Sequence, residues 1–255
     1  MREKKTPEIL ALIPARGGSK SIPRKNLLMI AGKPLIAHSI EQALASRHIT
    51  RTIVSTDDPE IAAVAREFGV EVPFMRPQEF AQDLSPDIDV FRHALEWLRD
   101  QEGYECELVV HLRPTGPVRR VEMIEEAIEL IKQHPEADSL RSVSPPTQTP
   151  YKMWKIANGM LQPVLEIEGV VEPYCLPRQA LPEVYWQNGY VDITRPRVVL
   201  EQGMMHGRRI IPFVIDEPMR EIDYEDSIAE VETALLRLRD EVKTASRTKE
   251  RRHPV

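Results

Sequence analysis

The chain has 255 residues, of which 42% are hydrophobic and 29% charged, and a formal net charge of −6 at pH 7. That length supports one α/β domain with a substantial core and at most a small insert. An acidic molecule does not attract polyanions as a whole, so nucleic acid is not an expected partner.

The apolar run at 9–13 reads as a buried first strand. It breaks at Pro14 into Ala15-Arg16-Gly17-Gly18-Ser19-Lys20-Ser21-Ile22-Pro23-Arg24-Lys25-Asn26, a glycine-containing loop with four cations and no acid. The segment from Lys33 to Ile40 opens a helix. A strand that empties into such a loop sets backbone N–H groups and positive side chains at one edge of a sheet, which suits a triphosphate. Neither G-x-x-x-x-G-K-[ST] nor G-x-G-x-x-G is present, so a Walker loop is excluded and a dinucleotide fold is unsupported.

Residues 51–55 form a second predicted strand ending at Thr56-Asp57-Asp58-Pro59. Asp57 or Asp58 caps the helix predicted at 60–68, with proline in its first turn and Gly69 at its end. An extended piece follows at 70–73. Ile88, Phe91, Leu95 and Leu98 repeat at helical spacing. A third buried strand at 108–112 stops at Arg113-Pro114-Thr115-Gly116-Pro117, followed by a helix at 121–132 and a strand at 138–143. This alternation predicts a mostly parallel sheet with helices on both faces, whose ligands bind beyond the carboxyl ends of the strands.

From Ser144 the prolines cluster and the pattern changes. Short β-like pieces are expected at 151–156 and 164–171, and another around Trp186-Gln187-Asn188-Gly189-Tyr190-Val191-Asp192-Ile193. The rhythm resumes with a strand at 210–215 and a helix at 226–238. The expected organisation is a single domain over 1–255, an insert at about 145–207, and a flexible polar tail at 243–255. Cys106 and Cys175 have no metal-ligand spacing and imply a reducing compartment without disulfides. The N-terminus has no signal-type apolar region, and no stretch approaches the roughly 20 residues that span a bilayer. A cytoplasmic protein that does not engage membranes is expected.

Several ordered motifs extend the first loop: Val54-Ser55-Thr56-Asp57, Arg76-Pro77-Gln78-Glu79, Ser85-Pro86-Asp87, Leu112-Arg113-Pro114-Thr115-Gly116-Pro117, Pro177-Arg178-Gln179, Gln187-Asn188-Gly189 and Glu221-Ile222-Asp223. With these, the chain from about 10 to 234 resembles the sialic acid-type cytidylyltransferases, the CMP-N-acylneuraminate synthetases. The resemblance implies a Rossmann-like three-layer α/β fold of the nucleotide-diphospho-sugar transferase type, with a β-rich dimerisation insert. It implies that CTP is coupled to a 2-keto-3-deoxy sugar acid by a homodimer using Mg²⁺, with Mn²⁺ as an alternative.

The same resemblance distributes roles. Ala15, Arg16, Gly17, Lys20, Lys25 and Asn26 form the CTP loop, and Arg76 and Ser85 contact the cytidine. Asp223, with Glu221 two residues earlier in place of a usual aspartate, holds the metal. Lys152, Arg178, Gln187 and Asn188 face the acidic sugar, with Arg113 near its attacking end. Arg16, Lys20, Lys25, Arg113 and Asp223 are the catalytic set. Plain readings stand beside these. Arg24 is a solvent-exposed cation, Asp83 a neighbour of a helix cap, and Arg76 a surface partner of Glu79. Glu221 and Asp223 cap the following helix. His38, His93, His111 and His206 are core or surface histidines, and no general base can be named.

Two departures stand out. The family commonly reads L-Q-P-T-S-P where this chain has Arg113 for glutamine, and N-G-A-x-Y where this chain places Asp192 for tyrosine. They leave the sugar open. Three alternatives also stay open at this stage: a sugar 1-phosphate nucleotidyltransferase of the same fold, a noncatalytic nucleotide-binding regulator, and an interaction module built on 185–205.

Overall fold

The structure, a computed structural model, describes residues 8–216 and 219–252. In chain order the strands and helices are β1 (Ile9–Pro14), β2 (Met29–Ile30), β3 (Lys33–Pro34), α1 (Leu35–Ala45), β4 (Arg51–Ser55), α2 (Pro59–Glu67), α3 (Asp87–Glu102), β5 (Leu108–His111), α4 (Val121–Lys132), β6 (Ser139–Ser144), β7 (Trp154–Ala157), β8 (Met160–Pro163), β9 (Trp186–Thr194), α5 (Pro196–Leu200), β10 (Ile210–Val214) and α6 (Ile228–Arg252).

Six strands form the central sheet in the order β10-β6-β9-β5-β1-β4. All pairings are parallel except those of β9, which runs antiparallel to both β5 and β6. The apolar runs of β1 and β5 follow from burial on both faces. In β1, Ile9, Ala11 and Ile13 pack into one core with residues of α1, α2 and α4. Leu10 and Leu12 pack into a second core with residues of α3 and α5. A third core joins Ile22 and Ile30 to Ile222, Val231 and Leu235 of α6, tying the first loop to the C-terminal segment.

Local chemistry sets the boundaries. The Asp58 carboxylate caps α2, accepting N–H groups of Glu60 and Ile61 at 2.9 and 3.1 Å, with Pro59 in the first turn. Gly103 ends α3 in the left-handed region. The piece expected at 70–73 runs beside β4 through isolated bridges, Ile53 to Glu71 and Thr56 to Met75.

Three differences from the sequence reading have physical causes. The segment outside the sheet ends before β9, so the expected 145–207 insert includes residues that belong to the sheet. Strand β9 is buried almost continuously from Asn188 to Thr194 between both neighbours, and α5 packs on α3. Within 145–185, the strand pair is β7 with β8, joined by Asn158-Gly159 with both residues at positive φ; nothing at 164–171 is a strand. Residues expected as a tail from Lys243 continue α6 to Arg252, and 253–255 lie outside the described residues. No described helix is long and apolar enough to cross a membrane.

Candidate functional site

Because β9 is antiparallel, its N-terminal end lies at the same sheet edge as the carboxyl ends of β1, β4, β5 and β6. The loops collected there enclose a cleft of about 310 Å³, bordered by Arg16, Lys25, Asn26, Arg76, Ser85 and Arg113. A larger cavity of about 570 Å³ lies beneath α6, and it is bordered neither by the first-loop cations nor by Glu221 and Asp223.

The first loop is fixed from below. The Ala15 N–H donates to the Ser55 carbonyl at 2.9 Å. The Gly17 N–H donates to Asp57 Oδ1 at 2.9 Å. A Cβ at Gly17 would lie 2.5 Å from Asp58 Oδ2, so only glycine lets the loop approach the α2 cap so closely. Asn26 Nδ2 donates to the Arg16 carbonyl at 2.9 Å, bracing the loop from inside. Arg24, expected in solvent, pairs with Asp58 and Glu60.

The loop cations divide into two groups. Lys25 is buried, and its Nζ donates to the Ile222 carbonyl at 2.6 Å and lies 3.7 Å from the Asp223 carboxylate. Arg16 and Lys20 converge on Asp83, at 3.1 and 2.7 Å, and Arg16 also donates to the Gln82 carbonyl at 2.8 Å. Asp83 is therefore no bystander to a helix cap. It is the carboxylate that occupies both cations, and the first loop, read on its own, gave no sign of it.

Arg76 is buried. Its N–H donates to the Thr56 carbonyl at 2.7 Å, and its guanidinium donates to the carbonyls of Ser55 and Phe80. Burial lowers its pKa to about 10, the charges of Asp57 and Asp87 offsetting only part of that cost. No ion pair with Glu79 forms among the described residues, and the buried Arg76 Nε has no protein partner. The Ser85 hydroxyl is spent on its own turn. It accepts the Gln82 N–H and donates to the Glu79 carbonyl, each at 3.0 Å.

The acidic segment reaches the cleft through its backbone. The Ile222 N–H donates to the Thr115 carbonyl at 2.7 Å, and Ile222 is fully buried. Glu221 and Asp223 thus flank an inward-facing residue, the geometry of an i, i+2 pair on extended chain. Burial and the neighbouring Asp223 charge raise the Glu221 pKa, as expected of two carboxylates sharing a site.

At the floor, Arg113 donates to Asp192 at 2.9 Å and to Asp87 at 3.3 Å. His111, beside it, is wholly buried, and burial pushes its pKa well down, aided by the Arg113 and Arg119 charges. It is neutral at pH 7, with its ring packed against Phe91 at 4.8 Å.

The remaining expected sugar residues lie apart. Lys152 is exposed in the 150–152 turn. Arg178 is exposed and donates to the carbonyls of Pro146 and Thr147, tying down its own segment. Neither borders this chain's cleft. Gln187 is exposed at the start of β9. Asn188 is buried and partnered at both ends of its amide, donating to Ser144 Oγ at 2.7 Å and accepting the Tyr190 N–H at 3.1 Å. It fixes the β9 bulge.

A cleft that opens at the strand ends of a mostly parallel sheet, with cations on one wall and a carboxylate pair beside them, defines a nucleotidyltransferase. The Cytidylyltransferase family model matches residues 10–162, and the chain belongs to that family. It is 34% identical over 224 residues to a CMP-N,N'-diacetyllegionaminic acid synthase of Legionella pneumophila, covering 86% of this chain and 92% of that protein. It is 39% identical over 125 residues to a pseudaminic acid cytidylyltransferase of Campylobacter jejuni, covering 49% of this chain and 53% of the other. Among solved structures, a CMP:2-keto-3-deoxy-manno-octonic acid synthetase shares the fold, with a TM-score of 0.68 and 18% identity over 90% of this chain and 99% of that one.

Proposed function

We propose that this cytidylyltransferase couples CTP to a nine-carbon 2-keto-3-deoxy sugar acid of the nonulosonic class, releasing pyrophosphate and forming a CMP-sugar in the cytoplasm. The observation that carries this reading is Lys25. Its ammonium group joins the cationic loop to the Glu221–Asp223 segment, so a triphosphate on Arg16 and Lys20 lies next to two carboxylates.

In this reading Arg16, Lys20 and Lys25 neutralise the triphosphate, and Arg76 supplies a desolvated donor toward the base. The anomeric hydroxyl oxygen of the sugar acid attacks the α-phosphorus, its proton passing to water as the new P–O bond forms. The bond from that phosphorus to the bridging oxygen of the β-phosphate breaks, and pyrophosphate departs on the loop cations. Positioning and charge neutralisation supply most of the rate.

Asp223 and Glu221 are proposed to hold Mg²⁺. The donor set fits: two hard carboxylates two residues apart, with Glu221 raised in pKa by burial and then by the Asp223 charge. Mg²⁺ typically takes one or two carboxylates with phosphate oxygens and water completing its shell. When bound, the ion would add Lewis-acid stabilisation of charge on the phosphates.

Product analysis by mass spectrometry tests the reading. CTP with N-acetylneuraminate, N,N'-diacetyllegionaminic acid or pseudaminic acid should give a CMP-sugar and pyrophosphate. A diphosphate-bridged product from a sugar 1-phosphate, with none from the free acids, would overturn it.

A homodimer built on 145–185 is also proposed. Ile156 and Met160 of the β7–β8 hairpin are 78% and 73% exposed, and Leu161 and Trp186 are also exposed. Apolar surface of this extent calls for a partner. Lys152 and Arg178 lie on the same segment and outside their own cleft, where a two-fold partner could receive them. Light scattering should give twice the chain mass. Ile156→Asp should lower that mass and raise the KM for the sugar acid while the KM for CTP changes little. A fully active monomer would refute the dimer.

A further inference from the structure

The cavity of about 570 Å³ beneath α6 takes no part in the reaction described above. It exists because α6 is anchored on one side. Val231 and Leu235 pack into the core with Ile22, Ile30 and Ile222, while the side turned to the cavity carries Ala229, Thr233 and Ala234, too small to fill the gap. Arginines border that gap from three directions. Arg119 and Arg120 come from the segment before α4, Arg220 from the segment before α6, and Arg237 from α6 itself. Two glutamates among the described residues also border it, and both are engaged: Glu241 lies 2.7 Å from Arg120 and Glu230 lies 3.1 Å from Arg220. Arg237 forms no ion pair among the described residues. The cavity is thus a concentration of positive charge in a chain whose net charge is −6.

Arg119 gives that charge its direction. The residue is 2% exposed. Its guanidinium donates only to neutral acceptors: the carbonyls of Tyr190 and Arg113, the Ser39 hydroxyl at 3.2 Å and the Gln42 amide oxygen at 3.4 Å. Burial lowers its pKa to about 10, and the charges of Glu221 and Asp192 offset only part of that cost. A guanidinium withdrawn from water with no anion in contact is costly, and here it borders an arginine-lined space of ordinary ligand size. We infer that the cavity beneath α6 is a binding site for a phosphate-bearing anion, separate from the cleft at the strand ends. Guanidinium forks match phosphate oxygens in spacing and charge. An anion held there compensates Arg119 and bridges α6 to the segment before α4. Its influence extends to the cleft, because the same guanidinium holds the Arg113 carbonyl at 2.6 Å.

Thermal unfolding with added anion tests this, in metal-free buffer at fixed ionic strength. Inorganic pyrophosphate and CMP are run in parallel, to distinguish a free phosphate group from a nucleotide's. The background is Arg16→Ala/Lys20→Ala, which removes two cations of the cleft. One or both anions should still raise its Tm saturably, since a ligand that binds the folded chain stabilises it. Adding Arg237→Glu should weaken that binding at least about tenfold, the scale of a lost charge-assisted hydrogen bond, and Arg237→Lys should weaken it less. Arg237 is exposed on α6, so neither change disturbs the core. In the otherwise wild-type chain, Arg237→Glu should leave the KM for CTP within about twofold, as expected of a distant site. No Tm rise with either anion in the Arg16→Ala/Lys20→Ala background would overturn the inference. So would a rise that Arg237→Glu leaves intact, or a raised KM for CTP in Arg237→Glu alone.

Discussion

Arg16→Ala should lower kcat/KM for CTP by at least about a hundredfold, while Asp83→Asn should lower the KM for CTP by about threefold. The opposite signs follow from one contact. Arg16 and Lys20 are held by the Asp83 carboxylate, at 3.1 and 2.7 Å, in the place where phosphate oxygens would bind. Losing a preorganised cation at a developing charge costs about 3 kcal/mol of transition-state stabilisation. Losing Asp83 removes an anion that the triphosphate must displace, and an exposed ion pair is weak, so the gain is small. Lys20→Ala should follow Arg16→Ala in direction with a smaller effect, because the Lys20 side chain is 78% exposed against 32% for Arg16. Kinetics beside melting curves check this. Near-normal turnover by Arg16→Ala would sink the phosphate assignment. A raised CTP KM in Asp83→Asn would mean that Asp83 positions the cations instead of competing for them.

What the sequence could disclose depended on how local the cause was. The apolar runs at β1 and β5 are buried on both faces, and their hydrophobicity marks them directly. The α2 cap and the α3 end are written in single residues, Asp58 and Gly103. The Asn158-Gly159 turn was equally legible as a hairpin signal; the piece expected at 151–156 overlaps β7, while the second was drawn at 164–171, just beyond β8. Strand β9 was harder. Its antiparallel entry between β5 and β6 is set by pairing across more than forty residues, which no local pattern contains, so the insert was drawn too long.

The site shows the same division. Arg16, Lys25, Asn26, Arg76 and Arg113 reach one cleft because their loops gather at the same sheet edge. Asp83 and Asp192 were missed as partners because an ion pair between distant residues leaves no trace in spacing. A departure from the family pattern was the one available signal for Asp192, and its meaning needed the distance to Arg113. Gly116 is similar. It stands where the family commonly has serine, and a Cβ there would collide with Met219 Cε, a contact between residues far apart in sequence.

The acidic segment yields the other large effect. EDTA should abolish turnover, Mg²⁺ or Mn²⁺ should restore it, and Asp223→Asn should be the more damaging of the two carboxylate variants. Asp223 has a side chain 59% exposed, with Lys25 at 3.7 Å, too far for a hydrogen bond. Its oxygens are free to ligate an ion directly, and their loss should cost at least about a hundredfold in kcat, the scale of a removed charge at the reacting phosphate. Glu221 is more confined. It packs toward Gly189 and Arg113, and burial already disfavours its charge. Under the proposed metal reading, a carboxylate so placed would act on the ion through water or by orienting Asp223, so Glu221→Gln should cost about tenfold, at the low end for a supporting ligand. Raising Mg²⁺ should recover much of the activity of Glu221→Gln and little of that of Asp223→Asn. Titrating Mg²⁺ at saturating CTP separates the two. The reverse ranking would exchange their roles, and full activity of both variants in EDTA would remove the metal from this site.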